Sequence, residues 1–466
     1  MQIPILNGIY ADPVADFRTS YPRNYQPVPK QTGISSGFLR PADGIVALAS
    51  GPGADRGGWR WNDTLYRVMG TKLVSQDAAG AITVLGDVGA GGQVTMDNGF
   101  DRLVIWSGGR QYYWNGMTLS QVTDPDLGNA IDGCWIAGYY AFTDGTSIGV
   151  TELNDPMAVN PTKYGSSEAD PDPVVGIAEL RNELIAVNRF TIEAFQNVGG
   201  DNFPFQRIDG AQVLKGAIGT HAFTAYAETI AFLGSGKNEA PSIYLMGAGS
   251  AQKIATAEID RLLLNYTEDE LALVVLETKV DRGHIELLVH LPDRALVFDI
   301  AASEALKEPA WHTRDSGLAA PATYRARNHV WCYDRWNVGD PTSAATGQLT
   351  QSTMEHFGAK VGWDFGTMVL YNEGRGAIVR AIELVALPGR VDLGDDPVIW
   401  HSYSLDGETW SQEHAIRVGK QGERLKRIAR RHCGKTRNYR MERFRGTSDA
   451  RLSLARLEAD IEALYG

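Results

Sequence analysis

Short apolar strands recur along this chain, with starts about 35 to 60 residues apart, and that rhythm limits its folds more than any other feature. They are read at 64–69, 103–106, 135–142, 184–187, 229–233, 286–290 and 330–333. Most run into a turn and a second strand. Trp106-Ser107-Gly108-Gly109-Arg110-Gln111-Tyr112-Tyr113-Trp114 is one such pair. Phe142-Thr143-Asp144-Gly145-Thr146 begins another, and His290-Leu291-Pro292-Asp293-Arg294 leads into a strand over 295–298. A unit of this size cannot bury both its faces. Closing several into a ring removes the sheet edges and builds one core, so the spacing predicts a mainly β, propeller-like ring of six or seven blades. No blade signature repeats.

The segments flanking the ring differ from it. Residues 1–58 are expected as an extended arm with the first strands, because Pro13, Pro22, Pro27 and Pro29 punctuate a stretch rich in Tyr and Asn. Such an arm either drapes over a neighbour or wraps its own domain. The ring is expected over 59–352, with a helical insertion at about 256–276. There Thr256 is a candidate cap, and Thr267 with Glu270 forms a capping-box pattern before an apolar run from Leu271 to Leu276. Beyond a Gly- and Thr-rich stretch, 353–466 reads as a β-sandwich-like domain, with strands at 378–386 and 398–404 and a turn at Asp406-Gly407. Leu454, Leu457, Ile461 and Leu464 have helical spacing, which predicts a short terminal helix or docking tail.

Composition narrows the compartment and the chemistry. Cys134, Cys332 and Cys433 are far apart and without CxxC spacing, so no disulfide or zinc framework is expected and synthesis in a reducing compartment fits. No signal peptide is read at the N-terminus, and no segment approaches the roughly 20 apolar residues that span a bilayer. The nine histidines are scattered, without HExxH, and His284 and His290 straddle a strand end. Gly434-Lys435-Thr436 resembles the tail of a phosphate loop, but Ala429 stands where its first glycine belongs. The glycines at 51, 53, 57 and 58 lack GxGxxG spacing, and no GxSxG occurs. No catalytic residue, cofactor or metal is assigned.

Propellers host glycosidases, so sugar hydrolysis is a second reading. Ser404-Leu405-Asp406-Gly407-Glu408-Thr409-Trp410 is similar to the Asp-box turn of sialidases, one residue short and present once. Hydrolysis needs two carboxylates about 5–9 Å apart. Asp124, Asp126, Asp132, Asp170 and Asp172 are available, with nothing that places a pair across a cleft. A propeller-type glycan hydrolase or carbohydrate-binding component therefore stands as the alternative reading.

One concentrated chemical signal remains. The formal net charge is −12, yet Arg417 to Arg445 holds twelve Arg or Lys and two Glu, a local balance of +10 that leaves −22 for the rest. Arg424, Lys426, Arg427, Arg430 and Arg431 form its first half; Lys435, Arg437, Arg440, Arg443 and Arg445 form its second. Two strands joined near 432–438 would bury Ile428, Tyr439, Met441 and Phe444 and project the guanidinium groups. Such a row can contact phosphates without reading bases, grip carboxylates of a partner subunit, or simply face water.

Several phrases carry a family resemblance. Ala240-Pro241-Ser242-Ile243-Tyr244-Leu245-Met246-Gly247-Ala248-Gly249, continuing to Thr256, resembles the packaged-DNA stabilisation proteins of short-tailed bacteriophages, which form the tail hub or nozzle. So do Tyr266-Thr267-Glu268-Asp269-Glu270, the run His284 to Pro292 with Leu296-Val297-Phe298-Asp299, Trp311, the Ser404–Trp410 phrase and the arginines at 427–437. The resemblance spans essentially the whole chain and is strongest over 240–311. The loops at 51–58 and 334–346 look variable.

The resemblance implies a virion tail protein without a catalytic step, made in the host cytoplasm. It implies a homo-oligomeric ring, a hexamer, beneath the portal and its adaptor, which binds a tail needle distally and tailspikes or side fibres laterally. Such a ring closes the channel after packaging and opens it for ejection. The ten basic residues are then expected at the channel or a subunit interface, with non-specific contact to channel DNA as one outcome.

Overall fold

The computed structural model describes residues 1–14, 16–30 and 33–464 of the 466-residue chain. Seven antiparallel sheets form seven blades among the described residues: 55–87, 95–121, 132–166, 174–207, 216–253, 275–314, and 327–350 completed by 44–50. The inner strands touch in a circuit, from Asp55–Trp61 through Thr95–Asn98, Asp132–Ile136, Val174–Leu180, Phe223–Tyr226, Val275–Asp281 and Arg327–Cys332 back to the first. The seam is shut by hydrogen bonding: Gly44–Ser50 pairs antiparallel with Ala345–Thr350, so the first propeller strand completes the last blade. This ladder replaces two exposed sheet ends with one closed ring.

Second strands in each blade are sandwiched between neighbouring blades and read as continuous apolar runs. Leu103–Ser107 is buried at every position, as is Thr229–Ser235 apart from its first residue. The hidden period lies in the turns. Each blade holds a two-residue hairpin with positive φ at both positions: 62–63, 108–109, 137–138, 181–182, 227–228, 282–283 and 333–334. That geometry matches the right-handed twist of the flanking strands.

Residue 58, the expected end of the arm, falls inside Asp55–Trp61, and Gly44–Ser50 also belongs to the propeller. The described residues among the first 43 wrap their own chain. Gln2–Ile3, Tyr25–Val28 and Phe38–Pro41 join Leu454–Ala463, Ala377–Ala386, Ile428–Arg431 and Lys435–Thr436 in a seven-stranded sheet. A second sheet, of Gly362–Gly366, Leu370–Tyr371, Tyr439–Thr447, Val398–Ser404 and His414–Arg417, packs on it around Tyr25, Trp363, Phe365, Ile399, Phe444 and Leu457. This sandwich therefore takes strands from both ends of the sequence.

A buried ionic junction ties the N-terminal segment to the propeller. Arg23 holds Asp315 with two bonds, Nε at 2.5 Å and Nη2 at 2.7 Å, while its backbone N–H donates to Asp364 of the sandwich at 2.9 Å. Close by, Glu286 accepts from Arg314 at 2.5 Å, Gln26 at 2.9 Å and Lys279 at 3.1 Å. Fully desolvated charges persist only when every one is met in this way.

Two sequence expectations need correction. Leu454–Ala463 is a strand and not a helix. Leu454 pairs with Ala386 and Arg456 with Val385, so one extra residue bulges out and returns Leu457 to the buried face, which imitates helical spacing. In the helical insertion, Ala257–Leu263 and Glu268–Ala272 form, with the capping box at Thr267 and Glu270 present. The Thr256 hydroxyl bonds Tyr21 at 2.5 Å and does not cap, and the apolar run ends in the inner strand that starts at Val275. A third helix, Ile300–Leu306, was not expected; Asp299 caps it. Among the described residues no helix is long and apolar enough to cross a membrane.

Candidate contact surface

The basic block does not form a single hairpin. Ile428–Arg431 and Lys435–Thr436 pair with Ala377–Ala386 at the edge of the seven-stranded sheet, whereas Tyr439–Thr447 runs through the facing sheet. The ten cations consequently meet three different fates.

Arg440 lies in the core. It is wholly buried, donates from Nε to Glu442 at 2.6 Å and from Nη1 to the Cys433 carbonyl at 2.6 Å, and sits 3.8 Å over the Tyr403 ring. Arg430 feeds the same network: its Nη1 meets His401 Nδ1 at 2.8 Å, and His401 Nε2 meets Glu442 at 2.8 Å. A guanidinium only donates, so Nδ1 accepts and Nε2 carries the proton. Burial, pushing the His401 pKa down, fits that neutral ring. These two residues are structural, contrary to the expectation of a contact role.

Arg427, Arg443 and Arg445 are matched by Glu383, Asp364 and Glu413, and Arg443 also covers the Trp410 ring at 5.7 Å. Arg424, Lys426, Arg431, Lys435 and Arg437 are exposed and have no carboxylate partner among the described residues. They line one sheet edge and the loop beside it. A groove of about 870 Å³ borders that edge, walled by alternating charge from Glu383, Arg431, Arg456 and Glu458.

At the propeller axis lies a cavity of about 210 Å³, reached by Gly57, Thr95, Asp132, Ile177, His221, Glu277 and Asn328, one from each blade or its inner turn. The His221 ring, from blade 5, bonds the Gln93 backbone beside blade 2, and burial pushes its pKa down to about 4. Burial also pushes the Asp132 carboxyl up to about 7.

The carboxylates considered for sugar hydrolysis are dispersed. Asp124 caps a turn, Asp126 lies within that turn, Asp132 faces the axis, Asp170 pairs with Lys237, and Asp172 accepts from Phe190 N–H at 2.6 Å. The Asp406 turn is a scaffold: its carboxylate accepts the Thr409 hydroxyl at 2.5 Å and the N–H groups of Thr409 and Glu408 at 2.8 and 2.9 Å, which hold its pKa far below the usual range. The Gly407 carbonyl then accepts Ala11 N–H at 3.1 Å and docks the arm. The donor group suited to a metal is elsewhere, at Glu277, His290 and His329. It draws on three strands, so no local spacing announces it.

Comparison with known proteins decides the family. The family model described as "Bacteriophage P22 Gp10, beta-propeller" matches residues 1–354, and "Bacteriophage P22 Gp10, beta-sandwich" matches 362–462. The chain belongs to the P22 Gp10 family. The tail hub protein gp10 of Salmonella phage P22 is 31% identical over 370 residues, covering 75% of this chain and 76% of that protein. As a Gp10-family member the chain is a structural tail-hub, or nozzle, protein of a phage virion. Among solved structures, the Neurospora crassa Pan2 WD40 domain covers 66% of the chain and 93% of itself at 9% identity and a TM-score of 0.41. The Nup159 N-terminal domain covers 69% and 97% at 8% identity and 0.41. Likeness at that level adds nothing to the sheet topology.

Proposed function

We propose that several copies of this chain, six by the family resemblance, close into a ring beneath the portal adaptor. There they hold the packaged DNA, seat a needle below and carry side fibres or tailspikes laterally. The narrow propeller axis carries this reading. Its cavity of about 210 Å³ holds only a handful of waters at about 30 Å³ each, far short of the space a DNA duplex takes. A conduit then requires space between copies and not within one.

The five unmatched cations suit the contact such a ring needs. Arg424, Lys426, Arg431, Lys435 and Arg437 concentrate positive charge on one edge of a chain whose remainder outside 417–445 carries −22. Head-to-tail rings bring unlike patches of identical subunits together, and complementary charge favours that pairing. The same edge turned inward would meet DNA phosphates instead.

Charge reversal separates the two. With Arg431, Lys435 and Arg437 changed to Glu, projection images of the protein with its adaptor are expected to lose the ring even without DNA. Intact rings in particles that leak their genome would move the contact to phosphate. Normal rings and normal genome retention would remove these residues from function.

A further inference from the structure

Glu277, His290 and His329 belong to three strands of two blades. Glu277 lies on Val275–Asp281, His290 ends His284–His290, and His329 stands on Arg327–Cys332 of blade 7. His290 pairs with Val275 across the sheet, and side chains alternate along a strand, so Glu277 shares its face. His329 arrives from the facing blade, where the ladder slips between Arg327 and Val330 and Asn328 has φ of 54°.

The three meet at close range. His329 Nδ1 is 2.8 Å from Glu277 Oε2, and His290 Nε2 is 3.1 Å from Oε1. One ligand atom from each lies within 4.8 Å of the others. His290 is 3% exposed, and its Nε2 faces the carboxylate without the alignment of a hydrogen bond, so it is left unpartnered inside the protein.

Joining blades does not require these rings. Asp97 takes the N–H of Trp135 at 2.7 Å, and Asp132 takes that of Ile177 at 2.9 Å, each bridging to the next blade without histidine. Glu277 does the same for blade 7 by accepting the N–H groups of Asn328 and His329, both at 2.8 Å. Two buried imidazoles on that carboxylate call for a separate explanation.

We propose that Glu277, His290 and His329 bind a first-row divalent cation, zinc by its affinity for imidazole joined to carboxylate, as a staple between blades 6 and 7. Two imidazoles and a carboxylate are an established donor combination for such ions. With bonds of about 2.0–2.2 Å, donors around a tetrahedral ion stand about 3.4 Å apart. The imidazole nitrogens lie 2.8 and 3.1 Å from the two Glu277 oxygens, so the group has only to open by a few tenths of an ångström to admit an ion. The backbone N–H groups of Asn328 and His329 fix the carboxylate, as outer partners of metal ligands do. Blade 7 is also the blade shut by the N-terminal strand. The staple locks the ring next to its seam.

The experiment uses the full chain, stripped with dipicolinate and dialysed against zinc or cobalt(II). One ion per chain is expected by mass spectrometry, with a visible cobalt absorption band and a Tm raised by at least about 3 °C when zinc is restored. His290→Ala and His329→Ala should each lose the ion. Should either variant fail to fold, the stripped wild-type chain still decides, because it needs no substitution. Zinc no higher than the buffer background in that chain would overturn the proposal, as would a full equivalent retained by both variants.

Discussion

Asp132, on the inner strand of blade 3, accepts the backbone N–H of Ile177 on the inner strand of blade 4 at 2.9 Å, and the Thr95 hydroxyl of blade 2 at 2.5 Å. One carboxylate thus joins three blades at the axis. Its burial raises the pKa from 3.8 to about 7. A carboxyl raised on folding stabilises most below its ordinary value, and that contribution is lost as pH rises through the folded value. Asp132 therefore costs stability increasingly from about pH 4 to pH 7, up to about 4 kcal/mol. His221, pushed from 6.5 down to about 4, acts with the opposite sign, since its contribution is lost as pH falls through that window. Comparing Asp132→Asn with the parent cancels His221. Urea melts at pH 5 and pH 8 should show the parent losing ground to the variant at the higher pH. Equal pH slopes would mean that Asp132 titrates as an ordinary carboxylate.

Two kinds of arginine share one basic block. Replacing Arg440 by Met leaves Glu442 buried beside His401 without its cation, at a cost of about 3–5 kcal/mol. Lys435→Glu and Arg437→Glu touch exposed side chains and should stay within about 0.5 kcal/mol. Denaturant midpoints for all three variants test this. Similar losses throughout would contradict the division into core and surface.

The junction of the two domains rests on Arg23. Its guanidinium fills the gap between Asp315 and the Gly317 carbonyl, at 2.8 Å from the latter, and Ala in its place abandons a buried Asp315. The expected loss is about 3–5 kcal/mol. It should appear in hydrogen exchange as faster opening at 311–317 and 362–366. Protection unchanged in both segments would place the coupling of the domains elsewhere.

The basic block shows how far sequence could go. Its charge was plain in the residue order, but Arg430 and Arg440 look no different there from Arg431 and Arg437. Their partners separated them: His401 lies 29 positions from Arg430, and Tyr403 and Glu442 hold Arg440. The blade count was obscured for a related reason. Seven turns share one backbone geometry, yet they are written Asn-Asp, Gly-Gly, Ala-Gly, Arg-Asn, Ala-Glu, Arg-Gly and Tyr-Asp. Positive φ is costly for the Ala, Arg, Glu and Tyr among them, and the paired strands on either side enforce it. The N-terminal arm was visible by its prolines, but its partner is a strand more than 400 residues later, Gln2 pairing with Glu458 and Leu39 with Leu454, which no local pattern encodes.

Closure of the ring gives the sharpest test of the fold. Gly347 lies on the seam, where an added Cβ would stand 2.7 Å from the Ile45 methyl and 2.8 Å from the Val46 carbonyl oxygen. The methyl can yield, but the carbonyl belongs to the ladder itself. Gly347→Val must therefore push Gly44–Ser50 away from Ala345–Thr350, costing about 1–3 kcal/mol. The effect should be local at first: amides at 44–50 and 345–350 exchange faster, and proteases gain access near Gly51, while Leu454–Ala463 keeps its protection. If the seam amides stay protected and the sandwich loosens instead, the N-terminal strand is not what locks the propeller.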